Sequence, residues 1–379
     1  MNYIDRVYDQ LGEKIKEKRV TIIYGPRRIG KTTLVSNYLN TLGGKAKILR
    51  VSAENLSIQK ILSSQEKDDL LDWVYGYNVV FIDEAQNVKN IGISLKILID
   101  SRPELNIIVT GSASFDLANK VGEPLTGRQT PLQLLPIAMS ELSSIYNKHE
   151  LREKLEDFLI YGMYPEIRTA KSSADKQFIL TELVESTLLK DILAIERFKD
   201  PKILVKLLSL IALQLGNEVS HNELASMLRI DVKTIGRYLF LLEKCYIIYN
   251  LRGFSRNLRN EVTRTGKYYF YDNGVRNAVI NNYNPLDNRN DVGALWENFA
   301  IIERLKYRLY NNIVASDYFW RTWEQQEIDL IEDRAGKLFA YEFKYSPKKT
   351  PKIPSVFAKN YPESEYSVIS AKNFLDFCS

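Results

Sequence analysis

One stretch near the amino terminus has the residue types and spacing needed to hold phosphate groups. It fits the pattern G-x-x-x-x-G-K-[ST] without a mismatch and lies between a strand-like and a helix-like run. With the next threonine it comprises Gly25, Pro26, Arg27, Arg28, Ile29, Gly30, Lys31, Thr32 and Thr33. Glycines let backbone N–H groups curl around phosphate oxygens, and the helix amino terminus adds partial positive charge. We expect Lys31 to reach the β- and γ-phosphates of ATP, or the β-phosphate of ADP, and Thr32 Oγ1 to ligate Mg²⁺.

Two carboxylates follow a second apolar run, at residues 79–82. Asp83 and Glu84 come directly after it. We expect Asp83 to hold Mg²⁺ through water and Glu84 to polarise an attacking water, the step that turns nucleotide binding into hydrolysis. Thr110 and Ser112 end another strand candidate, where a γ-phosphate would lie in a parallel sheet. Either residue is a candidate γ-phosphate sensor, and a simple strand-end turn is the alternative.

A third group of charged residues lies near the carboxyl terminus. Asp329 lies in one strand candidate, and Glu342 and Lys344 lie two residues apart on the next, which puts them on the same face. One Asp, one Glu and one Lys on adjacent strands are typical of a Mg²⁺ site at which the lysine activates a water for phosphodiester attack. A non-catalytic copy of such a site is the alternative.

The elements that must position these residues alternate at first between strand and helix. Strand-like runs lie at residues 20–24, 47–51, 78–82 and 105–110, with helical spacing at residues 91–99. Strands separated by helices predict a parallel α/β sheet. The carboxyl ends of such strands meet at one edge, which would bring the phosphate loop and the Asp-Glu pair together.

Leucine-rich helical periodicity replaces this pattern from about residue 139. Helix candidates at residues 220–230 and 233–243 precede strand candidates at 246–251 and 267–271, the order of a winged helix. Residues suited to DNA phosphates lie near the start of the second helix and along the predicted wing. Those of the helix are Lys233, Thr234 and Arg237, and those of the wing are Arg252, Arg256, Arg259, Arg264 and Lys267. Packing of this unit on the nucleotide domain or on a protein partner is the alternative to DNA contact.

The last part of the chain returns to mixed helix and strand. We therefore predict three domains, at residues 1–140, 141–285 and 286–379. The chain has no apolar run long enough for a transmembrane helix and no apolar segment typical of a signal peptide at its start. Its two cysteines make neither a disulfide framework nor a metal cluster, so we expect a cytoplasmic protein without membrane contact. The net charge of +5 is a mild bias toward anionic partners.

Several of these motifs together resemble the AAA-type ATPases of a large prokaryotic family. The resemblance rests on residues 25–33, on Asp83-Glu84 and on the Thr-Gly-Ser strand end. Further segments that resemble the family's signatures are the Pro-rich stretch at 125–136, Tyr161-Gly-Met-Tyr-Pro-Glu166, Lys190-Asp-Ile192 and Tyr269-Phe-Tyr-Asp-Asn-Gly274. The resemblance implies that Arg128 contacts the γ-phosphate, in its own subunit or from a neighbouring one, and a structural role in capping the next helix is the alternative.

The carboxyl-terminal part resembles the PD-(D/E)xK, restriction-endonuclease-like fold, with which the same prokaryotic family ends. This resemblance implies that Glu297 joins Asp329 and Glu342 as a metal ligand. The sequence thus predicts a Mg²⁺-dependent ATPase with a nuclease-like end that acts on DNA, with a homo-oligomer as a candidate assembly. A non-nucleolytic, nucleotide-dependent switch or scaffold for DNA or protein partners is the alternative.

Overall fold

The computed structural model describes residues 3–111, 124–188, 201–254, 266–322 and 324–378 of the 379-residue chain. Several residues named above lie outside this part: Ser112, the Lys190-Asp-Ile192 segment, and Arg256, Arg259 and Arg264. No helix of the described residues is long and apolar enough to cross a membrane.

The amino-terminal region is built on a parallel five-stranded sheet with the order β2-β3-β4-β1-β5. Its central strands consist almost entirely of buried apolar residues, as expected where helices cover both faces. The strands are β1 (Val20–Tyr24), β2 (Ile48–Ser52), β3 (Val79–Asp83), β4 (Asn106–Gly111) and β5 (Gln129–Gln133), and the helices among them are α1 (Lys31–Thr41), α2 (Leu56–Ser64), α3 (Lys67–Trp73) and α4 (Ile91–Ser101).

The fifth strand, β5, was not predicted, since its sequence lies in the Pro-rich stretch. It pairs in parallel with β1, with Val20 opposite Gln129 and Ile22 opposite Pro131. Proline cannot donate a ladder hydrogen bond and is therefore confined to edge strands. Because β5 is the last strand in the sheet order, Pro131 lies on an edge strand.

Short helices follow the first sheet and make up most of the middle region. They are α5 (Met139–Leu142), α6 (Lys148–Glu153), α7 (Leu155–Tyr161), α8 (Pro165–Thr169), α9 (Ser173–Glu182) with a π-helical turn at Leu183–Leu188, and α10 (Pro201–Leu213). Two capped helices come next, α11 (His221–Leu228) and α12 (Val232–Lys244). Ser220 accepts a hydrogen bond from the Glu223 N–H, and Asp231 accepts one from the Thr234 N–H. These side chains satisfy backbone donors that a helix start leaves without partners.

A seven-stranded sheet joins the middle region to the carboxyl-terminal one. Its order is β12-β11-β10-β9-β7-β8-β6. The strands are β6 (Glu218–Val219), β7 (Ile248–Gly253), β8 (Gly266–Phe270), β9 (Ser316–Arg321), β10 (Glu327–Arg334), β11 (Lys337–Phe343) and β12 (Glu365–Ile369). Because β7 pairs in parallel with β9, one sheet extends across the boundary predicted near residue 285.

The remaining helices pack against this sheet or extend the shared core. They are α13 (Asn273–Val279), α14 (Val292–Tyr310), α15 (Ser355–Asn360) and α16 (Leu375–Cys378). One buried apolar cluster contains Leu34 of α1, Leu208 of α10 and Phe299 of α14. The three regions of the chain therefore share a hydrophobic core, which can transmit a displacement from one to another.

Candidate nucleotide-binding site

The phosphate loop connects β1 to α1 and adopts backbone conformations that its glycines permit. Gly25 has φ 151° and Gly30 has φ 90°. A Cβ atom on Gly25 would lie 1.9 Å from the Leu134 carbonyl oxygen, so a side chain there requires the backbone to move. The first glycine of the motif thus allows a close approach to the chain after β5 as well as a tight turn.

Lys31 is the first residue of α1 and is buried at the base of the loop. Its Nζ donates to the carbonyl oxygens of Gly25 and Pro26, at 3.0 and 2.7 Å. These contacts hold the ammonium group inside the curve of the loop. A cation at this place stabilises the negative charge of phosphate oxygens that enter the loop.

The two predicted metal-side residues of the nucleotide site face one another. The Thr32 hydroxyl lies 3.1 and 3.0 Å from the two oxygens of Asp83. Thr110, fully buried at the end of β4, also donates to the Asp83 carboxylate. Hydroxyl and carboxylate oxygens are ligands that suit Mg²⁺, which is usually held by one or two carboxylates together with substrate phosphates. The donor set therefore fits the predicted ion.

Glu84 begins the turn after β3 in a left-handed conformation, with φ 54°. Its N–H donates to Thr110 Oγ1 at 3.2 Å, and the Gln86 side chain donates to its carboxylate. The unusual φ turns the chain sharply after Asp83, so that Glu84 lines the same pocket as Lys31 and Thr32. The arrangement places a carboxylate near the phosphate loop, as a water-aligning residue requires.

The pocket has a volume of about 600 Å³ and lies at the carboxyl edge of the first sheet. Its walls contain residues that sequence reasoning did not assign to the site: Tyr3, Ile4 and Arg6 from the amino-terminal segment, Ile137 after β5, and Pro165, Glu166 and Thr169 from α8. Glu166 lay within a segment singled out by resemblance, whereas the amino-terminal residues carried no recognisable pattern.

Arg6 ties the amino-terminal segment to the phosphate loop. The residue is buried, and it donates to the carbonyl oxygens of Ile29 and Leu135, each at 2.6 Å. Its Nε lies 3.0 Å from Glu141 Oε1. Burial alone disfavours its charge, but the Glu141 carboxylate outweighs this effect and raises the pKa of Arg6 above its usual value. Arg6 therefore stays cationic and connects three segments around the pocket.

Arg128 lies at the amino end of the first sheet, away from the pocket of its own subunit. It precedes β5, and its backbone carbonyl oxygen accepts a hydrogen bond from the Val20 N–H, at the amino end of the sheet. The phosphate loop follows the carboxyl end of β1, roughly 13 Å away at 3.3 Å per residue. The side chain pairs with Asp100 at 3.0 Å. This placement argues against contact with the γ-phosphate in the same subunit, while contact with a neighbouring subunit stays a prediction.

Basic residues form a row on the outer face of α12. Lys233 and Arg237 are exposed, Phe240 follows on the same face and Lys244 is half-buried. Residues three and four apart on a helix are neighbours, so the four side chains make one continuous stripe. The Lys244 ammonium group lies 5.3 Å from the centroid of the Phe240 ring.

The carboxyl-terminal carboxylates lie close together, but lysines neutralise them. Lys344 Nζ lies 2.7 Å from Glu342 Oε1 and 3.8 Å from Asp329 Oδ2. Glu297 accepts from the Tyr269 hydroxyl at 2.5 Å and lies 3.7 Å from Lys267 Nζ. Burial, with the Asp329 charge second, raises the pKa of Glu297 to about 7.

The second predicted metal site, at Glu297, Asp329 and Glu342, stays a prediction. In the part of the chain that the structure describes, no group of three or more His, Cys, Asp and Glu side chains is arranged to hold a metal ion. Lys344 lies beside Asp329 and Glu342, as the predicted Asp, Glu and Lys set requires, and Lys267 lies beside Glu297. Burial raises the pKa of Asp329 and of Glu342, so the uncharged carboxyl groups are favoured in the absence of a cation.

Comparison with protein families agrees with the amino-terminal geometry. Residues 17–143 match the family model of the AAA domain. Residues 152–286 and 292–376 match two domains of unknown function, DUF8612 and DUF4143. The parallel sheet, the phosphate loop and the AAA match define residues 17–143 as a nucleotide-binding P-loop domain of the AAA type.

Relatives of most of the chain occur in bacteria and archaea. An uncharacterized protein of Mycobacterium tuberculosis is 26% identical over 338 residues, which cover 88% of this chain and 71% of that protein. An uncharacterized protein of Methanocaldococcus jannaschii is 25% identical over 337 residues, with coverages of 84% and 73%. Among solved structures, AMPPCP-bound DnaA from Aquifex aeolicus aligns with 62% of this chain and 85% of that chain, at 15% identity and a TM-score of 0.29. This last similarity carries no functional argument.

Proposed function

We propose that the protein hydrolyses ATP and uses the nucleotide to switch the arrangement of its middle and carboxyl-terminal regions. The observation that supports this function is that Lys31, Thr32 and Glu84 line one pocket at the carboxyl edge of the first sheet, while Asp83 contacts the Thr32 hydroxyl. Four side chains from three elements meet where phosphate, metal and water would have to lie. Few other reactions need this set of groups in this arrangement.

Each residue of the site has a separate role in the proposed hydrolysis. The loop N–H groups and Lys31 bind and orient the β- and γ-phosphates, and Lys31 neutralises charge that develops in the transition state. Glu84 orients a water for in-line attack and accepts its proton, while Gln86 fixes the carboxylate by its hydrogen bond. Thr32 and Asp83 would hold Mg²⁺, which supplies further charge neutralisation on the phosphate oxygens when bound.

Lys31→Ala tests this proposal directly. A charge-assisted hydrogen bond contributes roughly 1.5–3 kcal/mol, so we expect ATP affinity to fall by at least about tenfold and turnover to be lost. Lys45→Ala is the matched control, since Lys45 is exposed and does not line the pocket. ATP binding by the Lys31 variant with wild-type affinity would overturn the proposal.

A role for Arg128 fits only an assembly in which it reaches a neighbouring subunit's pocket. The support is its position at the opposite end of the sheet from its own phosphate loop. Mixing two inactive variants, Arg128→Ala and Lys31→Ala, should then restore part of the ATPase activity, because one partner supplies an intact pocket and the other an intact arginine. No recovery at any mixing ratio would exclude the role.

Nucleic acid is the partner class that the α12 stripe supports, through its phosphates. We expect DNA binding that weakens with salt, and the double variant Lys233→Ala/Arg237→Ala should reduce the salt slope by about two. Fluorescence anisotropy with a labelled duplex measures both effects. Unchanged binding in the double variant would instead favour a protein partner.

A further inference from the structure

An arginine of the phosphate loop is held by a carboxylate from the middle region. Arg28 has a left-handed backbone conformation, with φ 61°, and its side chain reaches α8. Nη2 lies 2.5 Å from Glu166 Oε2 and Nε lies 3.3 Å from Glu166 Oε1, which makes a two-point contact. Nη1 lies 3.5 Å from Glu182 at the end of α9. One guanidinium group thus connects the loop to two helices outside the nucleotide domain.

Glu166 also lies beside the nucleotide. It lines the same pocket as Arg28, Lys31 and Glu84. A guanidinium group binds carboxylates and phosphates with the same fork geometry. Phosphate oxygens in the pocket would therefore compete with Glu166 for Arg28, and the negative charge of Glu166 would repel them.

The position of Glu166 is fixed by two segments that the AAA function does not use. Gly162, three residues before Pro165, has φ 74°, and a Cβ atom on it would lie 1.9 Å from Asp272 Oδ1. Asp272 accepts from the Met163 N–H at 2.5 Å and from the Val275 N–H at 3.0 Å. The Tyr161–Glu166 segment and the Tyr269–Gly274 segment therefore interlock around one buried carboxylate.

The interlocked segments continue by hydrogen bonds into the carboxyl-terminal region. The Asn298 side chain donates to Asn273 Oδ1 at 2.6 Å and to the Phe270 carbonyl oxygen at 2.9 Å. Asn298 is the residue after Glu297 on α14. A displacement of α8 thus has a connected route, through packed polar groups, to the seven-stranded sheet.

We propose that Glu166 is a positioning residue that senses the nucleotide. Without nucleotide, Glu166 binds the Arg28 guanidinium group. When ATP binds, its phosphates compete for Arg28, the ion pair breaks, and α8 and α9 are free to move. This inference rests on the proposed ATP-binding function. ADP competes less strongly than ATP because it carries one phosphate fewer and less negative charge. Through the carboxylates of Glu166 and Glu182, the position of the middle region thereby depends on whether the bound nucleotide carries two or three phosphates.

The test uses the full chain with Glu166→Gln. Loss of a partly exposed, two-point ion pair should raise the affinity for a non-hydrolysable ATP analogue by about three- to tenfold, with a smaller rise for ADP. Isothermal titration calorimetry measures both affinities. Glu153→Gln is the matched control, since Glu153 is exposed and, within the part of the chain that the structure describes, forms an ion pair with His149 alone.

A second measurement separates sensing from simple charge repulsion. In the wild-type protein, the ATP analogue should increase amide hydrogen exchange in residues 173–182. In Glu166→Gln, exchange there should already be raised and should no longer respond to the analogue. Glu182→Gln, at a half-exposed position, should change affinity in the same direction by a smaller factor.

The possible results distinguish the two claims. If wild type does not bind the ATP analogue, both the proposed function and the sensor role fail. If wild type binds it but the exchange response of residues 173–182 is absent, or persists unchanged in Glu166→Gln, only the sensor role fails.

Discussion

Replacement of Arg6 by Met should destabilise the protein more than any surface substitution. Arg6 and Glu141 side chains are each only 3% exposed. Without the guanidinium group, the buried Glu141 carboxylate keeps only backbone donors, the N–H groups of Val7 and Ala138, both at 2.7 Å. The carbonyl oxygens of Ile29 and Leu135 lose their side-chain donor as well.

The magnitude follows from this loss of partners. Removal of one member of a buried ion pair costs about 3–5 kcal/mol, because the other charge stays buried without compensation. Glu141→Gln removes that charge, so the double variant Arg6→Met/Glu141→Gln should be less destabilised than the sum of the single variants by about 1 kcal/mol or more. We also expect weaker ATP binding in Arg6→Met, since the Ile29 carbonyl oxygen belongs to the phosphate loop.

Urea unfolding followed by circular dichroism, together with ATP titration, measures these effects. Arg19→Met is the matched control, because Arg19 is exposed and makes one long contact, 3.5 Å to the Gln129 carbonyl oxygen. A cost below about 1 kcal/mol for Arg6→Met, or strict additivity in the double variant, would show that the buried Arg6–Glu141 pair does not stabilise the fold.

Two further predictions concern the loop and the carboxyl-terminal cluster. Gly25→Ala should abolish ATP binding in a titration, since its Cβ would lie 1.9 Å from the Leu134 carbonyl oxygen; retained affinity would show that the loop can move. For Glu297, burial raises the pKa from 4.5 to about 7, so the folded protein holds a proton that the unfolded chain releases. Stability should therefore fall as the pH rises from 4.5 through about 7, by at most about 3 kcal/mol from this group. Glu297→Gln should flatten this decline in unfolding midpoints measured across that range; an unchanged slope would contradict it.

The parts of the site that sequence predicts well are those made by neighbours along the chain. The phosphate loop spans nine residues, and its strand and helix contexts are local, so Lys31 and Thr32 could be assigned from pattern alone. Asp83 and Glu84 follow an apolar strand whose burial was evident from its composition. Their meeting with the loop required only the rule that parallel strands end at one edge.

The contacts missed are those that join distant segments. Arg6 meets Glu141 across 135 residues, and Arg28 meets Glu166 across 138 residues. No periodicity or motif connects positions so far apart, because tertiary packing alone sets them side by side. The Arg28 side chain, in particular, was assigned to phosphate, and its carboxylate partners could not be foreseen.

The errors in the prediction also have physical causes. β5 was hidden because Pro131 contradicts a strand unless the strand lies at an edge, and edges are a property of the finished sheet. Arg128 is placed by that strand at the amino end, away from its own pocket. Lys267, expected on a wing that faces DNA, is instead buried beside Glu297 and Glu327, partners that tertiary packing brings to it.

In the proposed reaction, Glu84 aligns the water that attacks ATP, beside Lys31, Thr32 and Asp83. Glu84→Gln tests it most directly, because the amide keeps the size of the side chain and removes the proton acceptor. Equilibrium binding of ATP and release of phosphate should be measured on the same preparation. We expect ATP binding within about threefold of wild type and a fall in turnover of about 10²-fold or more. Turnover at the wild-type rate in this variant would rule out Glu84 as the water-aligning residue.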